Sequence, residues 1–412
     1  MPAIEDSPNV VVLPIHRAIQ HALKSVEMRM LGQEPATPYL MGSPGGGKTQ
    51  MSRQFARDRG WNCIAYSPAL ERVEKFGGIP EIIHQEDTGE LHTLWSVPQL
   101  ICEVRALATN GKPTVVLLDD WHLCPEDIQQ IGFELFTYHS LNGHRVPQNV
   151  QFILAGNETS AAGARVQLSA IRNRCITFRV FSDPHYWVDN FAIPNNLHDI
   201  GISFFSANDN MPYFHEEEST SHQFGSPRSW TAALIQLAST ENDKDFLMRD
   251  RDGNMAIPII EVQAILEGCV SKQAAAKFIE YFKIYKSINT KEIFDSGKFT
   301  VPTENVKRFA FASAICSEFY NRYTSGKERK KPASEVFVSI MNELHKTSKE
   351  IAVKALRTIA KKPKIKELEM CDGQESLSGG EILTEIIKKG SLNMKLLEEL
   401  RQSIGILNQG SK

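Results

Sequence analysis

Gly42-Ser43-Pro44-Gly45-Gly46-Gly47-Lys48-Thr49 fits the phosphate-binding pattern G-x-x-x-x-G-K-[ST] at every fixed position. Residues 38–41, apolar in tendency, lead into it as a short strand, and residues 50–57 follow with Met51 and Phe55 at helical spacing. Strand, glycine loop and helix is the order in which this pattern grips an anion. The glycines let backbone N–H groups approach phosphate, and the helix start adds the positive end of its dipole. The expected binding set is Gly42, Pro44, Gly45, Gly46, Gly47, Lys48, Thr49 and Gln50. Within it Lys48 would reach the β- and γ-phosphates and Thr49 would ligate Mg²⁺.

Working outward, 412 residues give room for two to three domains, and 42% apolar with 23% charged residues is ordinary for a globular chain. No run approaches the ~18–20 apolar residues of a membrane span, and the first residues lack the basic flank and apolar core of a signal peptide, so a cytoplasmic protein is expected. Seven scattered cysteines form no C-x-x-C pair, which points to reduced, buried thiols. The net charge of −3 hides a basic segment, 327–366, with twelve Lys or Arg against four Asp or Glu. A solvated helical face explains such a segment, and so does contact with nucleic acid or an acidic partner.

Residues 1–14 read as a flexible lead carrying Pro2, Pro8 and Pro14. Ile15, Ile19, Leu23, Val26 and Met30 then predict an amphipathic helix ending near Gly32. Residues 61–66 read as a strand, and alternating runs within 76–94, flanking Glu86-Asp87-Thr88-Gly89, predict a β-hairpin insert. After a helix over 97–109, the continuous aliphatic run 114–118 has the pattern of a strand buried on both faces. A helix over 125–141, a strand over 151–155, a helical turn over 169–173 and a strand over 175–180 complete the alternation. The expectation is a doubly wound parallel α/β domain over 15–180. Residues 181–225 read as a connector with short helices. A helix with Ser226 as N-cap and Pro227 at its first position opens a helical lid and extension over 226–330, followed by a helical C-terminal region over 331–412.

The ends of the other strands carry the remaining candidates. Asp119, closing the apolar run, is placed to hold Mg²⁺ through its water shell, and Asp120 to orient or activate an attacking water. Asn157, ending the next strand, would donate to the γ-phosphate or to that water. Arg172 and Arg174, with Arg165 nearby, form a basic cluster able to stabilise charge on a transferring phosphoryl group. Arg228 sits at the second position of a helix, where the dipole disfavours a cation, and a residue that opposes local preference is expected where function demands it.

This ordered set resembles the AAA+ ATPases, and within them the MoxR-like and dynein/midasin-type branch marked by an insert in the second helix, in the manner of bacterial and phage ATPases. The glycine loop matches Walker A, residues 115–120 match Walker B, Ala155-Gly156-Asn157 matches sensor 1, and the hairpin matches the insert. Residues 168–174 look like the arginine-finger segment, with Arg174 as its last Arg, and Ser226-Pro227-Arg228 resembles sensor 2. The match covers roughly residues 10–245. It implies ATP and Mg²⁺ as cofactors, ATP hydrolysis, and a homo-oligomeric ring, commonly a hexamer, in which Arg174 completes a neighbour's site. It also implies a ring that remodels a protein complex, often with a von Willebrand A domain partner. A nucleic-acid motor using residues 327–366 and a slow nucleotide-gated assembly module are the other readings. The last follows from a departure: Asp120 stands where the family usually has Glu, one methylene longer.

Leu377-Ser378-Gly379-Gly380-Glu381 resembles the signature of ABC transporter ATPases but follows the Asp119 strand instead of preceding it, so a Ser-capped helix start is expected there. Phe278, Tyr281, Phe282 and Tyr285 fall at helical spacing and read as core.

Overall fold

A computed structural model describes residues 11–84, 89–157, 167–207, 214–215, 223–249, 255–324, 332–363, 377–388 and 392–409. The chain divides into two compact units, Met1–Asp183 and Pro184–Lys412.

The first unit runs β1 (Val11–Pro14), α1 (Ile15–Met30), β2 (Thr37–Met41), α2 (Lys48–Asp58), β3 (Asn62–Tyr66), α3 (Val73–Gly77), β4 (Pro80–His84), β5 (Leu91–Trp95), α4 (Gln99–Ala108), β6 (Thr114–Leu118), α5 (Glu126–Tyr138), β7 (Ser140–Leu141), β8 (His144–Arg145), β9 (Val150–Gly156), α6 (Ser169–Arg172) and β10 (Cys175–Phe181). Six strands form one parallel sheet in the order β1-β10-β2-β9-β6-β3. β6 and β9 are buried at every position, as continuous aliphatic runs in a two-sided parallel sheet must be. Val116, Leu118, Phe152 and Leu154 share a core with Leu100 and Val104 of α4 and Ile128 and Leu135 of α5. α1 and α2 cover the sheet's other face. This is an α/β P-loop fold. β2 lies between β9 and β10, at the point where the winding reverses, and ligands of such sheets gather at the carboxyl ends of the strands there.

Residues 11–14 correct the expectation of a flexible lead. They form the edge strand β1, with Val11 opposite Phe178 and Pro14 opposite Phe181. Val11 and Val12 favour extended backbone. Pro14 is tolerated because it ends an edge strand. Residues 1–10 lie outside the described residues. The hairpin forms, with Ile82 opposite Thr93 and Ile83 opposite His92, and both its strands are exposed throughout. Its turn, 85–88, lies outside the described residues.

The second unit begins with α7 (Pro184–Trp187), a π-helical turn (Val188–Ala192) and α8 (Asp199–Ala207). These belong to the stretch read as a connector, yet Trp187, Phe204 and Phe205 pack with Trp230 and Phe278 in one core. Next come α9 (Pro227–Glu241), the short antiparallel pair β11 (Met248–Arg249) and β12 (Met255–Ala256), α10 (Ile259–Cys269) and α11 (Lys272–Lys286). α12 (Thr290–Ser296), α13 (Asn305–Thr324), α14 (Pro332–Thr347), α15 (Lys349–Ala360), α16 (Gly379–Lys388) and α17 (Met394–Gln409) follow. Phe311 to Tyr323 of α13 share a core with Phe337, Leu356 and Leu396, so the expected boundary at 330 does not separate two cores.

Serine N-caps account for breaks that periodicity does not show. Ser226 forms a reciprocal capping box with Ser229, and the Ala274 N–H donates to Ser271 Oγ at 3.2 Å, splitting α10 from α11. The Ser378 N–H donates to Glu381 Oε2 at 2.7 Å and the Glu381 N–H to Ser378 Oγ at 3.4 Å, so the transporter-like signature is a helix cap. Its Gly379 is required by close packing, since a Cβ there would lie 1.7 Å from the Ile359 carbonyl oxygen.

Candidate nucleotide site

The glycine loop connects the end of β2 to the start of α2, and Gly47 caps α2 in the left-handed conformation, φ 92°, which suits glycine. The Gly42 N–H donates to the Gly156 carbonyl at 3.2 Å, and the Ser182 hydroxyl donates to the Gly46 carbonyl at 2.9 Å, which anchors the loop to the ends of β9 and β10. Lys48 is buried, and its ammonium donates to the carbonyls of Gly42 at 2.8 Å and Ser43 at 3.0 Å and to Asn157 Oδ1 at 3.1 Å. An ammonium can only donate, so it faces the amide oxygen of Asn157 and leaves the Nδ2 hydrogens for another acceptor.

Thr49 Oγ1 donates to Asp119 Oδ2 at 2.5 Å. The other carboxylate oxygen of Asp119 accepts from the Asp120 N–H at 3.0 Å, and the Asp119 N–H donates to the Tyr66 carbonyl at 2.8 Å. Asp120 adopts the left-handed conformation, φ 53° and ψ 29°, before the 3₁₀ turn Trp121–Leu123. Asp visits this region more readily than most residues, and such backbone clusters at functional sites. The structure therefore brings Lys48, Thr49, Asp119 and Asn157 into one hydrogen-bonded cradle, with Asp120 adjoining it. A hydroxyl beside a carboxylate is a hard oxygen donor set, and it fits Mg²⁺. Gln50 is exposed on the first turn of α2.

The arginines stand elsewhere. The Thr37 N–H, at the start of β2, donates to the Arg174 carbonyl at 2.9 Å, so Arg174 lies at the amino edge of the sheet. The glycine loop lies at the opposite edge, five residues of strand away, or about 16 Å. Arg174 stacks on Phe133 of α5, 4.3 Å from the ring centroid, and Nη1 donates to the Ala170 carbonyl at 3.0 Å. Arg172 is exposed on α6. Arg228 is exposed at the second position of α9, in the second unit. Arg165 lies outside the described residues.

His122 was not among the sequence candidates. It is 6% exposed, and burial lowers its proton affinity, opposed by Asp120, assisted by Lys48 and opposed again by Asp119. The signal was its place in Asp119-Asp120-Trp121-His122, at the carboxyl end of the strand where ligands gather.

The described part of the basic segment meets its counter-charges inside the second unit. Lys361 and Arg357 pair with Asp189, Lys362 with Asp199, Lys354 with Glu350, Lys346 with Glu343 and Lys349 with Glu399. Asp199 is partly buried, which pushes its carboxyl up, but Lys362, Ser317 and His198 outweigh that and hold it below the ordinary carboxylate range. Residues 327–331 and 364–366 lie outside the described residues.

No family model matches the chain, and no curated protein matches it. Among solved structures it is similar to a proline-to-glycine point mutant of Thermotoga maritima RuvB, with 12% identity, 69% of this chain and 77% of that chain covered, and a TM-score of 0.28. At that score the likeness carries no weight, and the sheet order and phosphate cradle stand on this chain's own geometry. Among the described residues no helix is long and apolar enough to cross a membrane.

Proposed function

We propose that the chain binds and hydrolyses ATP with Mg²⁺, as an AAA+ ATPase of the MoxR-like, helix-insert type. The observation that carries this is the cradle itself: Lys48, Thr49, Asp119 and Asn157 meet at the carboxyl ends of three adjacent strands. Lys48 would exchange its carbonyl partners for the β- and γ-phosphates, and the loop's N–H groups and the α2 dipole would hold the remaining phosphate charge. Thr49 and Asp119 would hold Mg²⁺, which supplies charge neutralisation between the β- and γ-phosphates. Asn157 Nδ2 is available to the γ-phosphate or to the attacking water. Asp120 would orient that water, and Arg228 is proposed as a further cation for the terminal phosphate.

Arg174 supports a ring. It stands about 16 Å along the sheet from the glycine loop of its own chain, so in the arginine-finger role it would act on nucleotide held by a neighbour. A homo-oligomer, with a hexamer as the commonest form of such rings, follows from that role. Within it the exposed hairpin, with Ile82, Leu91 and Leu94 more than half exposed, is available to a remodelled protein complex, and a von Willebrand A domain protein is the partner class proposed. The nucleic-acid reading loses support, because six basic residues of the 327–366 segment are already ion-paired.

The test is steady-state phosphate release with Mg-ATP, alone and with DNA, by the full chain and by Asp120→Asn. The variant is expected to keep ATP bound while turnover falls by about 100-fold or more. Near-zero turnover by the unaltered chain with tight ATP binding would favour the slow gated module. Turnover stimulated by DNA with steep salt dependence would restore the nucleic-acid motor.

A further inference from the structure

Among the described residues β4 and β5 pair with each other and with no third strand, and every residue in them is exposed. A two-stranded sheet open on both faces is marginal in water, and its edges offer N–H and C=O groups to any extended chain. This hairpin is tied down at its roots. The Ser96 N–H donates to the Ile79 carbonyl at 2.8 Å, and the Ile79 N–H to Ser96 Oγ at 2.8 Å. From the β7–β8 turn, Asn142 Nδ2 donates to the Gly77 carbonyl at 2.6 Å and His144 Nε2 to the Trp95 carbonyl at 2.8 Å.

Hydrogen-bonded and open pairs alternate along an antiparallel ladder. The bond from Ser96 to Ile79 puts that pair in the hydrogen-bonded class, and with it Glu81 opposite Leu94 and Ile83 opposite His92. At Pro80 and Trp95, Ile82 and Thr93, and His84 and Leu91 the backbone groups therefore point outward. Pro80, which has no N–H, and the Trp95 carbonyl, which accepts from His144, both agree with that register. On β5 the N–H and C=O groups of Leu91 and Thr93 thus face away from β4. Lys, Pro and bulges, which commonly blunt such an edge, are absent from Leu91–Trp95.

The chemistry of a partner follows from charge and faces. Residues 76–98 carry Glu81, Glu86, Asp87 and Glu90 and neither Lys nor Arg. Opposed residues share a face, so Ile82, Leu91 and Trp95 lie on one, and Glu81, Ile83, His92 and Leu94 on the other. Glu90 joins the second face, 3.7 Å from His92. We propose that the outer edge of β5 binds an extended polypeptide segment by strand addition, one that alternates basic with apolar residues. Its cations lie on the side of Glu81 and Glu90, and its apolar side chains on the side of Ile82, Leu91 and Trp95. This rests on the remodelling reading. Nucleic acid is repelled by the same carboxylates, and so is the hairpin of a second copy.

The experiment titrates the full chain with four fluorescent probes: a short peptide of alternating lysine and valine, the same peptide methylated at every amide nitrogen, an alternating glutamate–valine peptide, and single-stranded DNA. The first is expected to bind, less tightly as salt rises, and each of the others at least about tenfold more weakly. Two variants are compared with the unaltered chain. Thr93→Pro removes an outward N–H without breaking a bond to β4, and Glu81→Lys with Glu90→Lys reverses the charge. Each is expected to weaken the lysine–valine peptide by about tenfold or more. Equal affinity for the methylated peptide, or no loss in Thr93→Pro, would overturn strand addition at β5. Tighter binding of the glutamate peptide or of DNA would overturn the partner chemistry. Steady-state ATP turnover of the unaltered chain is measured beside these titrations. Turnover without peptide binding removes the edge site alone, whereas peptide binding without turnover keeps the site and removes the remodelling reading.

Discussion

Thr49 and Asp119, 70 residues apart in sequence, meet in a hydrogen bond of 2.5 Å that joins the first turn of α2 to the end of β6. These two oxygens are where the structure would hold Mg²⁺. Thr49→Ala and Asp119→Asn are therefore expected to remove the Mg²⁺ dependence of ATP binding, so that affinity with Mg²⁺ falls to the value measured in EDTA. Titration of each variant with a fluorescent ATP analogue, with and without Mg²⁺, checks this. A variant that still gains affinity from Mg²⁺ as the unaltered chain does would show that the metal is held elsewhere.

Arg174→Ala should reduce turnover by on the order of 1,000-fold while leaving ATP binding nearly intact, as expected for an arginine that acts across an interface. Mixing it with Lys48→Ala chains tests the geometry further. Each defective chain can supply what the other lacks, so partial activity is expected in the mixture and none in either variant alone. Retained turnover in Arg174→Ala would remove the assignment.

Much of this was legible in sequence because the relevant signals are local. The glycine loop announces its strand and helix by spacing, and the aliphatic run 114–118 with its terminal Asp119 needs no distant partner to be recognised. The β1 strand was missed because its stability comes from pairing with β10, far along the chain, while its prolines suggested a loose lead. The helix break at Ser271 is not legible in sequence because a capping serine looks like any polar position in a periodic run. Within the site, His122 carried no motif of its own. What singles it out is burial beside Asp120, and burial is a property of the fold.

In the second unit, Lys362 is 4% exposed on its side chain and pairs with Asp199 at 2.8 Å. Asp199→Ala leaves that ammonium buried without its counter-charge, which should destabilise the unit by about 3–5 kcal/mol. The double replacement Asp199→Leu with Lys362→Met removes both charges and should recover most of the loss. Urea unfolding of the three chains checks it, and a double variant no better than the single one would contradict the explanation.

His139 gives a pH dependence with a defined sign. Burial, helped by Arg29 and opposed by its hydrogen bond to the Pro147 carbonyl, pushes its imidazole down from 6.5 to about 4. The unfolded chain takes up the proton first. The neutral ring's contribution is therefore complete above pH 6.5 and is lost as pH falls towards 4, by at most about 3 kcal/mol. His139→Gln should flatten the stability profile across that window. An equal slope in both chains would assign the effect to other groups.

The most direct measurement is calorimetric titration of the full chain with Mg-ATP, repeated on Lys48→Ala. One saturable site per chain is expected, with affinity weakened by roughly 10- to 100-fold when the buried ammonium is removed, since charge-assisted bonds of this kind contribute about 1.5–3 kcal/mol. No ATP binding by the unaltered chain, or equal binding by both, would contradict the account.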